Sequence, residues 1–246
     1  GTLFITEGTE DPNKTLYNQL LVDKSTKLTR TDFSKGLTDN NTNTLYTGVE
    51  DSKTVYYFAG NATDNWVKFG KNASNQDLYW RIIRTNSDGG VRLLYHGTST
   101  TATDAYIGTS AFNSSYDNIA YVSYMYGSLG SISSARENTN NSTIKTTIDN
   151  WYKDNLNINY GKYISTEAVY CNDRELASLS TYSTTRSFSY ASSERIDFTS
   201  QPTYNCTNMS DAFSVNNTSA KLDYPIGLMT IDELSYAGGE FYTKLT

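Results

Sequence analysis

Histidine occurs once in this sequence, as His96, cysteine twice and proline three times. One histidine and two cysteines fall short of the four nitrogen or sulfur ligands of a structural zinc site. Nucleophilic catalysis fares no better. There is no G-x-S-x-G element, and neither cysteine sits in a protease-like context. His96 itself reads as an exposed histidine at a strand end. Long apolar runs are missing too: none approaches the ~20 residues that cross a bilayer, and no signal peptide is visible, so no membrane insertion is expected. A secretion signal left out ahead of Gly1 is compatible with this. Clusters of Lys and Arg are absent, the net charge is -6 and the pI is about 4.8. Phosphate-backbone affinity comes mainly from basic side chains, so nucleic acid is not an expected partner. The D-x-D-x-D-G spacing of a calcium loop is absent around Asp39-Asn40-Asn41, so calcium lacks support and no cofactor is expected.

The polarity of the chain comes from Asn, Ser and Thr more than from charge. Only 37% of its 246 residues are hydrophobic, yet it holds 21 Tyr, 9 Phe and 3 Trp. Disordered chains are poor in aromatics, so a folded, loop-rich, β-rich protein is implied. The composition suits an extracellular protein; it is equally what an AT-rich genome yields. A single domain is expected, with residues 1–53 a helix-and-loop extension and 54–246 the core. Cys171 and Cys206 either pair or stay buried as thiols, and the extracellular composition favours the disulfide.

Asp77–His96 (DLYWRIIRTNSDGGVRLLYH) anchors the fold reading. Leu78–Thr85 and Val91–Tyr95 are β-rich, and Gly89 and Gly90 suit the tight reversal of a hairpin. Alternation puts Trp80 and Ile82 on one face and Tyr79, Arg81 and Ile83 on the other. Thr54–Ala59 and Trp66–Phe69 complete a four-strand antiparallel meander. Thr2–Asp11 reads as extended, Asn13 as the cap of a short helix through about Val22, and Thr26–Asn43 as loop. The clearest helix is Ser142–Leu156, capped by Asn141 or Ser142, with Ile144, Ile148, Trp151, Tyr152 and Leu156 on its apolar face. Lys145 and Asp149 form an i, i+4 pair on its outside. The helix is expected to cover the meander, with Trp151 in the core. Tyr106, Phe112, Tyr116, Tyr121, Tyr124 and Tyr126 punctuate residues 98–130, and a long Ser/Thr/Tyr-rich region fills 176–217. Thr230-Ile231-Asp232-Glu233 has the capping-box spacing, and Gly238-Gly239 ends its short helix. N-x-S/T sequons at Asn61, Asn72, Asn113, Asn141, Asn205 and Asn208 are what so much Asn, Ser and Thr produces by chance.

The ordered series YYFAGN, WVKF, YWRIIRTNSDGGVRLLYHG, YVSYMYG, STIKTTIDNWYKDNL, YISTEAVYCNDR and YPIGLMTIDELSYAGG resembles a family of secreted or surface proteins of low-GC Gram-positive gut bacteria. It covers roughly Val55–Gly239. That resemblance implies an α+β fold of C-type-lectin-like type, related to formylglycine-generating-enzyme-like domains. In it an antiparallel meander is packed by one main helix and carries long irregular loops. By position, Trp80 matches the core tryptophan, Trp151 and Tyr152 the helix aromatics, and Asp232-Glu233 the short helix. Family members continue with an aromatic-Ser-Pro segment and a closing Gly-x-Arg-Pro strand, whereas this chain stops at Thr246. A processed product, a closing strand from another chain, or a departure from the family fold each account for that. Cys171 and Cys206 do not sit in the formylglycine-type oxidase pattern.

The expected role is a non-enzymatic binding or adhesion module at the cell surface or outside the cell, with a glycan or protein ligand. Loops on a rigid scaffold are where recognition lives, and Tyr gives wide contact at small entropic cost. Candidate contacts are Tyr124, Tyr126, Tyr182, Arg186 and Tyr190. Two alternatives stand beside it. One is a glycan hydrolase drawing a carboxylate pair from Glu167, Asp173, Glu175, Asp232 and Glu233. The other is a structural subunit of a surface assembly that self-associates through an unpaired strand.

Overall fold

The computed structural model describes residues 3–4, 15–39, 42–103, 105–115 and 118–240. The chain divides into two compact units. The first takes residues 1–106, 202–204 and 232–246, and the second takes 107–201 and 205–231. Within each, strands and short helices give an α+β composition.

The first unit is built on a seven-stranded mixed sheet. Its strands are β1 (Leu3–Phe4), β2 (Thr26–Thr29), β3 (Thr44–Glu50), β4 (Lys53–Tyr57), β5 (Trp66–Lys71), β6 (Asp77–Thr85) and β7 (Val91–Tyr95). Before β2 lies α1 (Leu16–Asp23), whose N-cap is Thr15, accepting from the Asn18 amide. The extended reading of Thr2–Asp11 and the cap at Asn13 fall, all but β1, outside the described residues. β6 and β7 form the expected hairpin, with Trp80 opposite Tyr95 and Thr85 opposite Val91. Of the two turn glycines only Gly89 takes a positive φ, +84°, which is the conformation that excludes most side chains there. Along β6 Leu78, Trp80, Ile82 and Arg84 are buried, as period-two alternation requires, and Thr85 at the strand end is buried as well.

Two corrections follow. The sheet is mixed, because β1 joins β5 and β2 joins β3 in parallel. The four strands are also not a serial meander. β6 is central: β5 and then β4 share one of its edges, and β7 takes the other. Nine residues make β6 long enough to serve both. β2 and β3 lie where a loop and an extension were expected. Gly48 obscures the strand pattern of β3, and its reason is spatial: a Cβ there would lie 3.1 Å from the ring of Tyr204.

The sheet and the Trp151 helix expected to cover it belong to different units, the sheet to the first and the helix to the second. Within the first unit, Tyr46, Val55, Tyr57 and Ala59 pack with Tyr204 and Tyr236, flanked by Phe33 and Leu37. Tyr204 stacks on Tyr236 with ring centroids 3.9 Å apart, and Tyr236 donates its hydroxyl to the Pro202 carbonyl. The last carbonyls of the helix carrying Tyr236, those of Ser235 and Tyr236, accept from Arg30, which caps them with a cation.

Set into this core is a charge cluster. The Arg84 guanidinium donates to Glu233 and Glu50, each at 2.9 Å, Arg92 donates to the same Glu233 oxygen, and all four residues are buried. Arg84 also lies 4.2 Å over the Tyr204 ring. Two positive and two negative groups neutralise each other here, as buried charge demands.

The second unit has little regular structure. Its elements are β8 (Met125–Tyr126), α2 (Ile132–Ala135), β9 (Asn140–Asn141), α3 (Thr143–Tyr152), α4 (Ile158–Tyr160), β10 (Tyr170–Cys171), α5 (Ala191–Glu194) and β11 (Ala212–Phe213). β8 pairs with β9, and β10 with β11. A last helix, α6 (Ile231–Tyr236), lies almost wholly in the first unit. Ser142 caps α3 through the Lys145 amide, as the sequence predicts, and a π-helical turn over Lys153–Asn157 continues it. Ile148, Tyr152 and Leu156 carry the buried face while Trp151 is only half-buried. The Lys145–Asp149 pair forms at 2.6 Å but lies inside, not on the outer face.

Arg174 is the hub of this unit. It and Asp211 are each 1% exposed. Asp211 accepts from its Nε at 2.7 Å and from its amide at 3.0 Å. Its two terminal nitrogens donate to the carbonyls of Met125, Ala135 and Ser210 and to the Asn138 side chain. Beside it, Cys171 and Cys206 form the disulfide, with Cα atoms 5.6 Å apart.

Two measurements check this architecture. Arg84→Met leaves Glu50 and Glu233 without their shared guanidinium and should cost about 3–5 kcal/mol in urea unfolding at neutral pH. A loss under about 1 kcal/mol would mean that the cluster is not buried. Replacing both cysteines by serine should cost about 2–4 kcal/mol, with added reductant destabilising only the parent chain.

Candidate functional site

Three local devices shape the tyrosine-bearing surface of the second unit. The Asn118 side chain accepts from the Ala120 amide and donates to the Thr184 carbonyl at 2.7 Å, joining the 118–121 turn to the 183–186 loop. The Ser183 hydroxyl accepts from the amides of Thr185 and Arg186, which tightens that loop. Beneath them Ala120, Phe188 and Tyr190 form a small core, with Ile119, Leu129, Ile132, Leu176 and Tyr182 packed on it.

The five sequence-predicted contacts sort into two groups. Tyr124 is 4% exposed, edge-on to Phe213, and its hydroxyl donates to the Leu228 carbonyl and accepts from the Leu228 amide. Tyr190 is 8% exposed, its hydroxyl bonds the Ile119 carbonyl, and burial pushes its phenol up to about 12. Both are core side chains whose polar ends are already used. Tyr126 and Tyr182 are partly exposed, and Arg186 is exposed with no hydrogen-bond partner for its guanidinium among the described residues. Tyr182 packs on Phe188 and anchors its hydroxyl on the Leu129 carbonyl. Burial, then the nearby Tyr121 phenol, pushes the Tyr182 phenol upward.

Tyr121 was not among the predicted contacts, yet its ring meets that of Tyr126 edge-on at 5.5 Å. The five-residue spacing of the two tyrosines gives no helix or strand period to signal it; the 3-10 turn Ile119–Tyr121 makes the contact. The reachable part of this surface is therefore Tyr121, Tyr126 and Tyr182, with Arg186 on the adjoining loop. Such a surface can stack on apolar faces and bind anionic or hydroxyl groups.

The carboxylates available for hydrolysis are each engaged. Glu233 is ion-paired twice as described, and Asp232 accepts from the Thr203 amide at 2.9 Å. Asp173 pairs with Arg195 at 3.1 Å, Glu175 pairs with Arg136 at 3.1 Å and accepts from Asn208, and Glu167 accepts from Asn216. Among the described residues no group of three or more His, Cys, Asp or Glu is placed to hold a metal ion, and no helix is long and apolar enough to cross a membrane.

His96 lies at the end of β7, partly buried, with its ring edge-on to Trp66 at 4.5 Å. Arg81 covers the same indole at 3.9 Å and donates to Asn65 at 2.6 Å. Burial, then the Arg81 charge, holds the imidazole below its ordinary value.

None of the family models, curated proteins or solved structures with which the chain was compared matches it.

With one histidine in the chain, one imidazole resonance reports that site. Its midpoint in a proton NMR titration should lie below the ~6.5 of a free histidine. The unfolded chain then binds this proton more readily, so the His96 contribution makes stability fall as pH drops below 6.5 towards the folded midpoint. A midpoint at or above 6.5 would mean that the imidazole is not partly buried beside the Arg81 guanidinium.

Proposed function

We propose that the chain is a non-enzymatic binding or adhesion module working at a bacterial cell surface or outside the cell, on a glycan or protein ligand. The observation that carries this reading is the cluster of partly exposed Tyr121, Tyr126 and Tyr182, with exposed Arg186 on the adjoining loop, its guanidinium without a hydrogen-bond partner among the described residues. Aromatic faces and a free guanidinium are the side chains that dominate binding interfaces energetically. The disulfide within the same unit supports an oxidising compartment. Engagement of the candidate carboxylates by arginines and amides weighs against the hydrolase alternative. Kinship with secreted Gram-positive surface proteins and a C-type-lectin-like core belong to the same proposal, and rest on the ordered sequence motifs.

Glycan and protein arrays probed with the intact chain test it. A ligand should emerge whose affinity falls about tenfold or more in Tyr126→Ala and in Arg186→Ala, at unchanged thermal stability. Absence of any ligand, or a ligand indifferent to both substitutions, would overturn the assignment.

A further inference from the structure

Lys145 occupies the first turn of α3 and is 1% exposed, an unusual place for an ammonium group. Its Nζ lies 2.6 Å from Asp149 Oδ2 on the same helix and 2.6 Å from Asp223 Oδ2, 78 residues away in sequence. The other oxygen of Asp149 is buried and accepts no hydrogen bond. Asp223 follows buried Leu222 and precedes Tyr224, whose ring packs at 5.3 Å from that of Tyr152. Its own side chain is 64% exposed. A buried amine is thus clamped between an enclosed carboxyl and one that opens to water.

We infer that Lys145 and Asp223 are the site of an intramolecular isopeptide cross-link, with Asp149 as the proton carrier. The amine and the acceptor carboxyl are already in contact, and such preorganisation is equivalent to an effective concentration of about 10^5 to 10^8 M. Asp149 is hydrogen-bonded to the amine and close enough to Asp223 to feel its charge, and burial raises its affinity for a proton despite the opposing Lys145 charge. Carrying protons at that position is general acid–base work. The ammonium passes one proton to Asp149, which relays it to a carboxyl oxygen of Asp223. The neutral Nζ attacks Asp223 Cγ and forms the C–N bond. The second proton travels through Asp149 to the departing oxygen, the C–O bond breaks, and water leaves through the exposed side of Asp223. One ammonium and one carboxylate become one amide and one water. No oxidant or co-reactant is needed, and net charge is unchanged. The site is separate from the tyrosine surface and does not depend on its role.

Intact-mass spectrometry of the full chain, denatured with its disulfide reduced, tests this. The mass should fall below the sequence value by one water, and a proteolytic digest should give a branched peptide joining Lys145 to Asp223. Asp223→Ala, which alters an exposed side chain, should restore the full sequence mass, as should Lys145→Arg and Asp149→Asn. A parent chain at full sequence mass would overturn the proposal, leaving an ion pair only. Water loss that maps within α3, to Lys145 and Asp149, or to an internal succinimide, would overturn it as well. Cross-linking that survives Asp149→Asn would overturn the proton-carrier role.

Discussion

Taking a charge out of water costs several kcal/mol unless the protein supplies what the water supplied, and each unit of this chain is organised by meeting that demand. Arg174 is the sharper instance. Its hydrogen-bond partners come from β8, the end of α2, Asn138 and the Ser210-Asp211 turn. These segments share no common sheet, and the paired strands near them are two residues long. A guanidinium has a fixed fork of donors, so one arrangement of the four segments satisfies all of them at once. The backbone carbonyls of Ala135 and Ser210 accept from Arg174 as well as from the Gly127 amide and the Asn138 side chain, so the guanidinium joins bonds that those segments already make.

In the first unit the same requirement acts on a sheet that already has its ladders. Arg84 stands on the buried face of β6, where alternation alone calls for an apolar residue. Its partners tie the end of β3, through Glu50, and α6, through Glu233, to the central strand. Ser87 in the hairpin turn donates its amide to the second oxygen of Glu50, so the turn is included in the network. Tyr204 lies over the same guanidinium, and glycine at position 48 is what admits its ring. Charge, aromatic stacking and one missing Cβ are therefore parts of a single packing solution.

This explains which features could be read from the sequence. The β6–β7 hairpin, the Ser142 cap of α3 and the short α6 are local, and each is encoded within a few residues by alternation, a capping hydroxyl or a terminating Gly-Gly. The cysteine pair was legible as one of two outcomes. What escaped depends on partners far along the chain. Arg84 and Glu233 are 149 residues apart, Arg174 and Asp211 37 apart, and Lys145 and Asp223 78 apart. Without the partner, a lysine on a helix is expected in solvent, which is why the Lys145–Asp149 pair was placed on the wrong side of α3. The division of the sheet and α3 between units escaped for a related reason. An apolar face shows that a helix is buried, but not against what.

The tyrosines carry the same lesson into function. A chain with so little aliphatic content must build part of its core from an amphipathic aromatic, and each buried phenol then needs somewhere to place its hydroxyl. Tyr124 uses Leu228, Tyr190 uses Ile119 and Tyr236 uses Pro202, all backbone carbonyls outside the strands. Core tyrosines thus perform a second task, donating to backbone carbonyls outside the strands. In composition they are indistinguishable from binding tyrosines. What separates the two is whether the ring has a face left for water: Tyr182 packs on the small Phe188–Tyr190 core rather than within it, and Tyr121 and Tyr126 meet edge-on and stay partly exposed. Recognition, on this reading, uses the outermost layer of the same residue type that holds the unit together.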